Sequence, residues 1–546
     1  MKRGFVVVLI LSLAHPLLGQ QGKDEAEKDK SKDNLPPIVL PEFDITGKEQ
    51  PVPPDFSKGE YAGDQGLSPM IRNPNLDERE NTALDAGKKP ELPVGKSPGL
   101  VSGKVVVGYG RFVTSSIESW LGLDGTMADV NVSGRFTSSD GHVAYSDYRR
   151  GGLDASVSWK LGREAPILKE TRLLSFAGFE GDRYRFFGSP TPDLVRTTHH
   201  GSLGVGTSSL VAPWGLTYDV KLRWHYYSVS DAATSTENEL SLSFTASKTF
   251  GDVTTNAGAE FAADFLGASL SADGLAYGAL HIGAAGEVIP GFHLEGGVAV
   301  YLLKNTDTAT RVRFYPQVEA RYIAGEFLTV FARTVPEARK STLRGLLGDH
   351  PYLASSLAIR HQESDADFAG GVEVTLSARA RGRVAISYRR LRNYPVYLDE
   401  DRNGMWGVTY DGKTRLLSLT TDASVRLSDD DQVLASVRLL ESEYSVTGDR
   451  VPYLPSIVFS GTYQRQIGSR MNLQGSLQVV GRRNADLSSS RTLDSYVRLD
   501  LRGEYYFSKS IGVSLSTENT FDQRYELWEN YIARPFSIQA GLTARW

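Results

Sequence analysis

The acidic stretch at residues 399–404 has the residue types of a metal-binding loop. Its sequence, DEDRNG, places oxygen-bearing side chains at alternating positions and glycine at the sixth, as in the first half of a calcium loop. The carboxylate that should close such a loop is missing, because its position falls on Tyr410. A solvated hairpin loop is therefore the favoured interpretation, and calcium binding is the alternative.

Two adjacent histidines, His199 and His200, are the other candidate metal ligands. Neighbouring residues of a strand point to opposite faces, which is poor geometry for binding one ion together. The chain also has no cysteine, which excludes disulfides, thiolate metal sites and a lipid-modified cysteine. No nucleophile with a positioned base can be named. We therefore predict no catalytic residue, no metal site and no cofactor, and an outer-membrane enzyme is the weakest hypothesis.

Charged residues occupy alternate positions along many segments, with apolar residues between them. Such ions could line the path of a solute and set its charge preference. They could instead form ion pairs between strands that hold a wet wall together. Mixed signs favour ion pairs, because charge selectivity usually needs rings of one sign. The residues concerned are Lys221, Arg223, Glu319, Arg321, Arg389, Arg438, Arg498, Asp500, Arg502 and Arg545.

This alternation has a period of two, which is the period of a β-strand. Every second residue of the segment 216–226 is apolar or aromatic, and most residues between them are charged or polar. The segment 497–507 repeats the pattern, and so do shorter stretches around Val318 and Val372. A wall with lipid on one side and water on the other requires this alternation. The sequence therefore predicts an all-β protein, a transmembrane antiparallel β-barrel.

The predicted strands are long and numerous. At about 9 to 15 residues they fit a tilted membrane-spanning strand better than the roughly five or six residues of a soluble sheet. Between residue 104 and the C-terminus we count about 22 of them, within a range of about 20 to 24. A large soluble sandwich or propeller is the rival fold, but strands of this length with ions along one side would leave it too few core faces.

Short turns alternate with longer connectors between these strands. This is the asymmetry of outer-membrane barrels, which have short periplasmic turns and longer extracellular loops. We place short turns at residues 250–252, 290–291, 428–432 and 507–510, and longer connectors at residues 193–198, 337–353 and 394–405.

The first hundred residues differ from the rest. Lys2 and Arg3 precede a short apolar run and then small residues, which predicts a cleaved signal peptide at residues 1–20, with a retained anchor helix as the alternative. Residues 21–100 are rich in proline and charge, which predicts a disordered periplasmic segment. Residues 101–546 form the predicted barrel. The net charge of −5 gives no indication of nucleic-acid binding.

The C-terminal segment carries a family resemblance. It reads NTFDQRYELWENYIARPFSIQAGLTARW and resembles the end of TonB-dependent receptor barrels. The stretch around Pro452, Pro455, Gly481 and Arg482 and the segment VVVGYGRFVTSS at residues 105–116 are similar to other parts of the same family. The resemblance covers residues 101–546. The residues that match the family's terminal signature are Asn519, Phe521, Asp522, Tyr525, Tyr531, Pro535, Gly541 and Trp546.

The N-terminal region departs from that family. The resemblance implies a globular plug of well over a hundred residues before the barrel. The polar residues 47–101 leave no room for such a plug. The segment PIVLPEFDITG instead resembles a TonB box, which the energising protein captures as an added strand. The alternatives are a segment that enters the lumen or pairs with another periplasmic protein. The box-like residues are Leu40, Phe43, Asp44, Ile45 and Thr46.

The resemblance and the strand pattern together imply transport. We expect a barrel in the outer membrane that lacks a regular plug and passes or receives a solute, whose identity the sequence does not reveal. The alternative is an outer-membrane anchor or assembly platform whose N-terminal arm binds a periplasmic partner. The expected partners are outer-membrane lipid, the barrel assembly machinery, a solute, and TonB or another periplasmic protein.

Overall fold

The computed structural model describes residues 102–162, 171–209, 216–268, 274–410 and 412–546. The predicted signal peptide, the predicted disordered segment and the TonB-box-like residues Leu40, Phe43, Asp44, Ile45 and Thr46 lie outside these residues. Within the described part of the chain, no helix is long and apolar enough to cross a membrane.

Twenty-two antiparallel strands form one closed sheet, which confirms the predicted fold and strand number. Each strand pairs with the next along the chain, and the first pairs with the last through partners such as Val107 and Leu542. Closure leaves no unpaired strand edge, as a barrel in lipid requires. The strands run from 7 to 17 residues, a wider range than predicted.

We number the barrel strands in chain order. They are β1 (Gly103–Gly110), β2 (Thr114–Asp124), β3 (Ala128–Ser139), β4 (Tyr148–Leu161), β5 (Thr171–Arg185), β6 (Val195–Ser209), β7 (Leu216–Ser230), β8 (Thr234–Phe250), β9 (Val253–Ala268), β10 (Leu275–Ile289), β11 (Phe292–Lys304), β12 (Arg311–Ala324), β13 (Leu328–Thr334), β14 (Gln362–Ser377), β15 (Ala380–Arg392), β16 (Lys413–Arg426), β17 (Asp431–Tyr444), β18 (Ile457–Ile467), β19 (Met471–Val480), β20 (Tyr496–Tyr506), β21 (Ile511–Glu518) and β22 (Ser537–Arg545).

The two faces of the wall carry opposite chemistry, as the alternation predicted. Leu222 on β7 is 43% exposed and lies opposite Leu242 of β8, which is equally exposed. Phe314 and Leu542 are exposed on the same outer face. An apolar surface of this extent on a soluble protein would drive association, so it is a surface for lipid. The inner face carries the ions, for example the facing residues Glu373 and Arg383.

The two ends of the barrel differ in their connections. At the end that holds both Gly103 and Trp546, the fully described turns are two to four residues long, including the predicted turns around Gly251, Gly291 and Ser508. We call this the turn end. The opposite end, which we call the loop end, holds the long connectors, including those at residues 335–361, 393–412 and 519–536. The predicted connector at residues 193–198 is misplaced, because β6 already begins at Val195 and the connector occupies residues 186–194.

The long connectors contain short elements of their own. These are the helix α1 (Leu343–Asp349), the strand Ala338–Arg339 beside β14, and three small hairpins formed by Val396–Leu398 with Gly407–Thr409, Arg483–Asn484 with Thr492–Leu493, and Glu526–Trp528 with Tyr531–Ile532.

Candidate functional site

The loops of the loop end fold into one buried apolar cluster. Residues from connectors rooted in different parts of the ring contribute to it, among them Phe186 between β5 and β6 and Trp406 between β15 and β16. These connectors start ten strands apart in a ring of 22, so their residues can meet only across the mouth of the barrel. We call this cluster the loop cap. Its central members are Phe186, Leu343, Leu346, Tyr352, Leu353, Tyr397, Trp406, Tyr453, Leu527, Trp528 and Tyr531.

His350 lies at the centre of the loop cap. It has no exposed surface, and its ring stacks on Trp528 with centroids 3.4 Å apart. The rings of Trp406 and Tyr397 pack against it at 4.7 and 5.3 Å. Burial lowers the pKa of His350 well below its ordinary value of 6.5, and the nearby Arg196 guanidinium lowers it further. The cap is therefore built around a neutral imidazole.

Tyr531 links several loops of the cap. Its ring stacks on Tyr352 with centroids 3.7 Å apart, and its hydroxyl donates a 2.8 Å hydrogen bond to the carbonyl of Gly404. Burial raises the pKa of Tyr531 far above its ordinary range, so its hydroxyl keeps the proton that it donates. The connectors after β13, β15 and β21 are thus joined through one side chain.

The connector at residues 335–361 contributes the largest part of the cap. We call it the inward loop, because it contacts inner-face residues of the wall. Tyr277 of β10 donates a 3.0 Å hydrogen bond to the carbonyl of Ala338. Glu237 of β8 accepts hydrogen bonds from the backbone N–H groups of Leu343 and Arg344, at 2.8 and 3.1 Å. Glu237 thereby satisfies two N–H groups at the start of α1 that have no partner within the helix.

A buried ion pair fixes the other end of the inward loop. Arg196 of β6 is fully buried and pairs with Asp231, in the turn between β7 and β8. The same guanidinium donates to the carbonyls of Pro351 and Leu353, each at 2.6 Å. Burial raises the pKa of Asp231, but Arg196 outweighs this, and the net shift is downward. The pair is therefore ionised, and removing either partner would leave a buried charge uncompensated.

A small cavity of roughly 30 Å³ lies beside the cap, which is room for about one or two waters. His142 lines it, and the ring Nε2 of His142 lies 3.0 Å from the carbonyl oxygen of Ile532. Burial lowers the pKa of His142. The cavity is too small for a solute, so the described part of the chain offers the lumen rather than this pocket as a site for one.

The charged residues predicted on the inner face do lie there, and several form ion pairs. Lys221 pairs with Asp219 at 3.0 Å, Arg321 with Glu319 at 3.1 Å and Arg498 with Asp500 at 2.9 Å. These three pairs each join residues two apart on one strand. Other pairs join neighbouring strands as predicted, for example Arg150 with Asp182 at 3.1 Å and Arg383 with Glu373 at 3.7 Å. Their geometry supports the structural role over a charge-selective ring.

The two candidate metal motifs serve other roles. The carboxylate of Asp399 accepts hydrogen bonds from the backbone N–H groups of Asn403 and Gly404 at 3.0 and 2.9 Å, so its oxygens hold the loop. His200 faces inward and its Nε2 lies 3.1 Å from Nδ1 of His225, while His199 stacks on the outer Phe179. Among the described residues, no group of three or more His, Cys, Asp or Glu side chains is arranged to hold a metal ion.

The residues of the C-terminal signature hold the last strands and their loop. Asn519 is buried, and its amide donates to the carbonyls of Gln523 and Arg534 at 2.9 and 3.1 Å. Asp522 accepts a 2.7 Å hydrogen bond from the N–H of Phe536, next to Pro535. These contacts fix the connector between β21 and β22, whereas Phe521 is exposed.

The rest of the signature lies in the loop cap and at the seam of the barrel. Tyr525 stacks on Tyr496 with centroids 3.9 Å apart. A Cβ on Gly541 would lie 3.0 Å from the carbonyl oxygen of Val107 across the β1–β22 seam. The N–H of Trp546 donates to the carbonyl of Gly103 at 3.1 Å. These contacts give the signature a role in closing the barrel and in packing its loops.

No local pattern in the sequence predicts the loop cap. His350, Trp406 and Trp528 belong to no motif, because each is a single aromatic or imidazole residue in a connector. Their proximity comes from contacts between loops that are far apart in sequence. The available signal was the concentration of aromatic residues in connectors at the loop end, since a solvated loop has little use for them.

Comparison with known proteins gives a likeness in structure only. No family model matches the sequence, and no curated protein matches it. The FrpB iron transporter from Neisseria meningitidis superposes with a TM-score of 0.65 at 9% identity, over 81% of each chain. The copper transporter OprC gives 0.63 at 12% identity, over 81% of this chain and 80% of its own. The siderophore receptor PirA from Pseudomonas aeruginosa gives 0.60 at 14%, over the same shares.

The fold is thus that of a 22-stranded outer-membrane barrel with an apolar outer belt and a charged interior. More particularly, it is the barrel fold of the TonB-dependent receptors, which confirms the resemblance seen in the C-terminal segment. The matched structures are named as an iron transporter, a copper transporter and a siderophore receptor.

Proposed function

We propose that this protein is an outer-membrane transporter whose loop cap closes the outer mouth of the lumen and opens to admit a solute. The supporting observation is that connectors from opposite sides of the ring meet in one apolar core. The turn end is placed in the periplasm and the loop end outside, as is usual for such barrels. The iron and copper transporters and the siderophore receptor among the similar structures are consistent with this role.

The role of the N-terminal region is part of this proposal. The segment PIVLPEFDITG would act as a TonB box, and residues 21–100 would occupy or gate the periplasmic side of the lumen. The box is supported only by its short strand-forming composition between polar stretches.

Conductance in planar bilayers tests the transport proposal. We expect little conductance from the full chain, because the cap closes one end of the lumen. Deleting residues 21–100 and replacing Trp528 by Ala should together give the largest stepwise conductance, with each single change intermediate. Trp224→Ala on the outer wall is the matched control and should behave like the parent. Absence of conductance in every folded variant would contradict a transport pathway through the lumen.

The second candidate function is an outer-membrane platform whose N-terminal arm recruits a periplasmic protein. The strand-forming segment around Phe43 and Ile45 favours it, because an exposed strand can be added to the sheet edge of a partner. The test compares partner recovery by the parent and by the double variant Phe43→Asp with Ile45→Asp. Recovery that is lost only in the variant supports the arm, and equal recovery argues against both the platform and the TonB box.

A further inference from the structure

An acidic patch lies on the inner wall beneath the inward loop. It consists of Glu237 and Glu239 on β8 and Glu260 and Asp264 on β9. Glu239 and Asp264 are direct partners in the β8–β9 register, so their side chains lie side by side on the inner face. Two adjacent carboxylates repel each other, and burial strengthens that repulsion. The arrangement favours any cation that can reach it.

The side-chain neighbour of Asp264 in this patch is another carboxylate, Glu239, and no basic or neutral group donates to Asp264 among the described residues. Its side chain is almost entirely buried, with the residue 1% exposed. Neither of its carboxylate oxygens has a hydrogen-bond partner among the described residues. A buried acceptor without a donor costs about 1 to 3 kcal/mol, and more when it is charged. A buried group left without a donor calls for an explanation, and a ligand that supplies the missing donor is one such explanation.

The inward loop already places one ammonium group at this patch. The Nζ of Lys340 lies 2.5 Å from Glu239 and 3.8 Å from Glu260. Lys340 is also among the charged groups that act on Asp264, together with Glu237 and Glu239. A lysine ammonium has three donors, and it interacts electrostatically with three carboxylates here, those of Glu239, Glu260 and Asp264. Lys340 satisfies only part of the patch, since no hydrogen bond joins it to Asp264 within the described residues.

We propose that Glu239, Glu260 and Asp264 form a binding site for a primary ammonium group of the solute, and that Lys340 occupies this site while the inward loop is docked. A solute amine that displaces Lys340 would remove one of the contacts that hold the loop against the wall. The contacts that remain, which include those of Glu237 with the start of α1 and of Arg196 with Pro351, would then hold the loop more weakly. Binding of the solute and release of the inward loop are in this way coupled through one cation site.

An ammonium group fits this site better than a metal ion. The described carboxylates do not converge with the spacing of a metal centre. The patch also already accepts an alkylammonium in the form of the Lys340 side chain. Its use in transport rests on the proposed function, whereas the binding itself can be measured on the purified full chain.

The absence of cysteine in the chain makes a single-label experiment direct. A Cβ at Gly348 in α1 meets no atom within 4 Å, so Gly348→Cys provides an attachment point for a nitroxide on the inward loop. The probe is n-butylammonium, which matches the Lys340 side chain, added at constant ionic strength to the full chain in detergent. Tetramethylammonium, which has no N–H donor, and sodium are the control cations.

We expect butylammonium, and neither control cation, to increase the mobile component of the nitroxide spectrum. Lys340→Ala should increase the affinity for butylammonium, measured by calorimetry, by about tenfold or more, because the competing ammonium is gone. Asp264→Asn should lower that affinity by a similar factor. Asp219→Asn is the matched control, since Asp219 is also an inner-wall carboxylate but pairs with Lys221, and it should leave the affinity unchanged.

Two results would overturn the inference: equal affinity of the parent and Lys340→Ala, or equal affinity of the parent and Asp264→Asn. If Asp264→Asn does not fold, as judged by the heat-dependent gel shift of intact barrels, Glu239→Gln replaces it and should likewise lose butylammonium binding. Amine binding without any conductance would contradict the proposed transport function alone. Conductance without amine binding would contradict this inference alone.

Discussion

The connections at the two ends of the barrel are stabilised in different ways, although they join the same strands. At the turn end, the turns that the structure describes are local and their residues are mostly exposed, for example Gly251 and Asp252. At the loop end, residues from five or more connectors share one buried core around His350. The turn end is therefore held by strand register, and the loop end by tertiary packing that can be lost while the barrel remains intact.

The largest expected effect on this comparison comes from removing an aromatic ring of the loop cap. Trp528→Ala should destabilise the cap by about 3 to 5 kcal/mol, because it leaves a large cavity beside His350. Hydrogen exchange of the connectors at residues 335–361 and 393–412 should rise while that of the strands stays unchanged.

Trp159→Ala is the control for that substitution. Trp159 is 40% exposed on the outer face, and its loss should leave exchange in the connectors unaltered. Equal exchange in the Trp528→Ala connectors and in the parent would show that the cap is not an independent packing unit.

The second test uses pH, since His350 is neutral in the cap. The pKa of His350 in the closed cap lies well below the ordinary 6.5. On acidification His350 therefore takes up a proton in the open state at a pH at which it stays neutral in the closed state. Protonation of His350 thus leaves the stability of the closed cap unchanged above pH 6.5. Below pH 6.5 the free energy that favours the closed cap falls by up to about 1.4 kcal/mol for each pH unit, until the pH reaches the pKa of His350 in the closed cap.

A nitroxide at position 348 should therefore become more mobile on acidification. His350→Phe, which cannot bind a proton, should remove this pH dependence below 6.5. Other charged groups lie in the inward loop or contact it, namely Glu237, Glu239, Lys340 and Arg344. The test is therefore the difference between the mobility–pH curves of the parent and the variant, and not either curve alone. Identical curves would contradict the role of His350.

The difference between the two ends also explains what the sequence could predict. The alternation around Leu222 and Val318 and the short turns at residues 290–291 and 507–510 predicted the barrel, because period and turn chemistry are local properties. The C-terminal signature predicted the barrel fold of the TonB-dependent receptors. The position of His350 beside Trp528 depends on how connectors 170 residues or more apart pack, which no local period encodes. Lys340 and Asp264 were missed for the same reason.

The smallest expected effect comes from replacing one glycine by alanine at each end of the barrel. Gly251 at the turn end and Gly404 at the loop end both adopt positive φ, at +60° and +73°. Alanine should cost about 1 to 2 kcal/mol at each position, because a Cβ is unfavourable in this conformation. At Gly251 nothing lies within 4 Å of the new Cβ, so this is the whole cost.

At Gly404 the new Cβ would lie 2.7 Å from the Cα of Ser189, a backbone atom of a different connector. The cap must then shift, so Gly404→Ala should cost more than Gly251→Ala and should increase hydrogen exchange around both residues 189 and 404. Gly251→Ala should change exchange only in its own turn. A larger loss of stability in Gly251→Ala than in Gly404→Ala would contradict the view that register alone holds one end and packing between connectors holds the other.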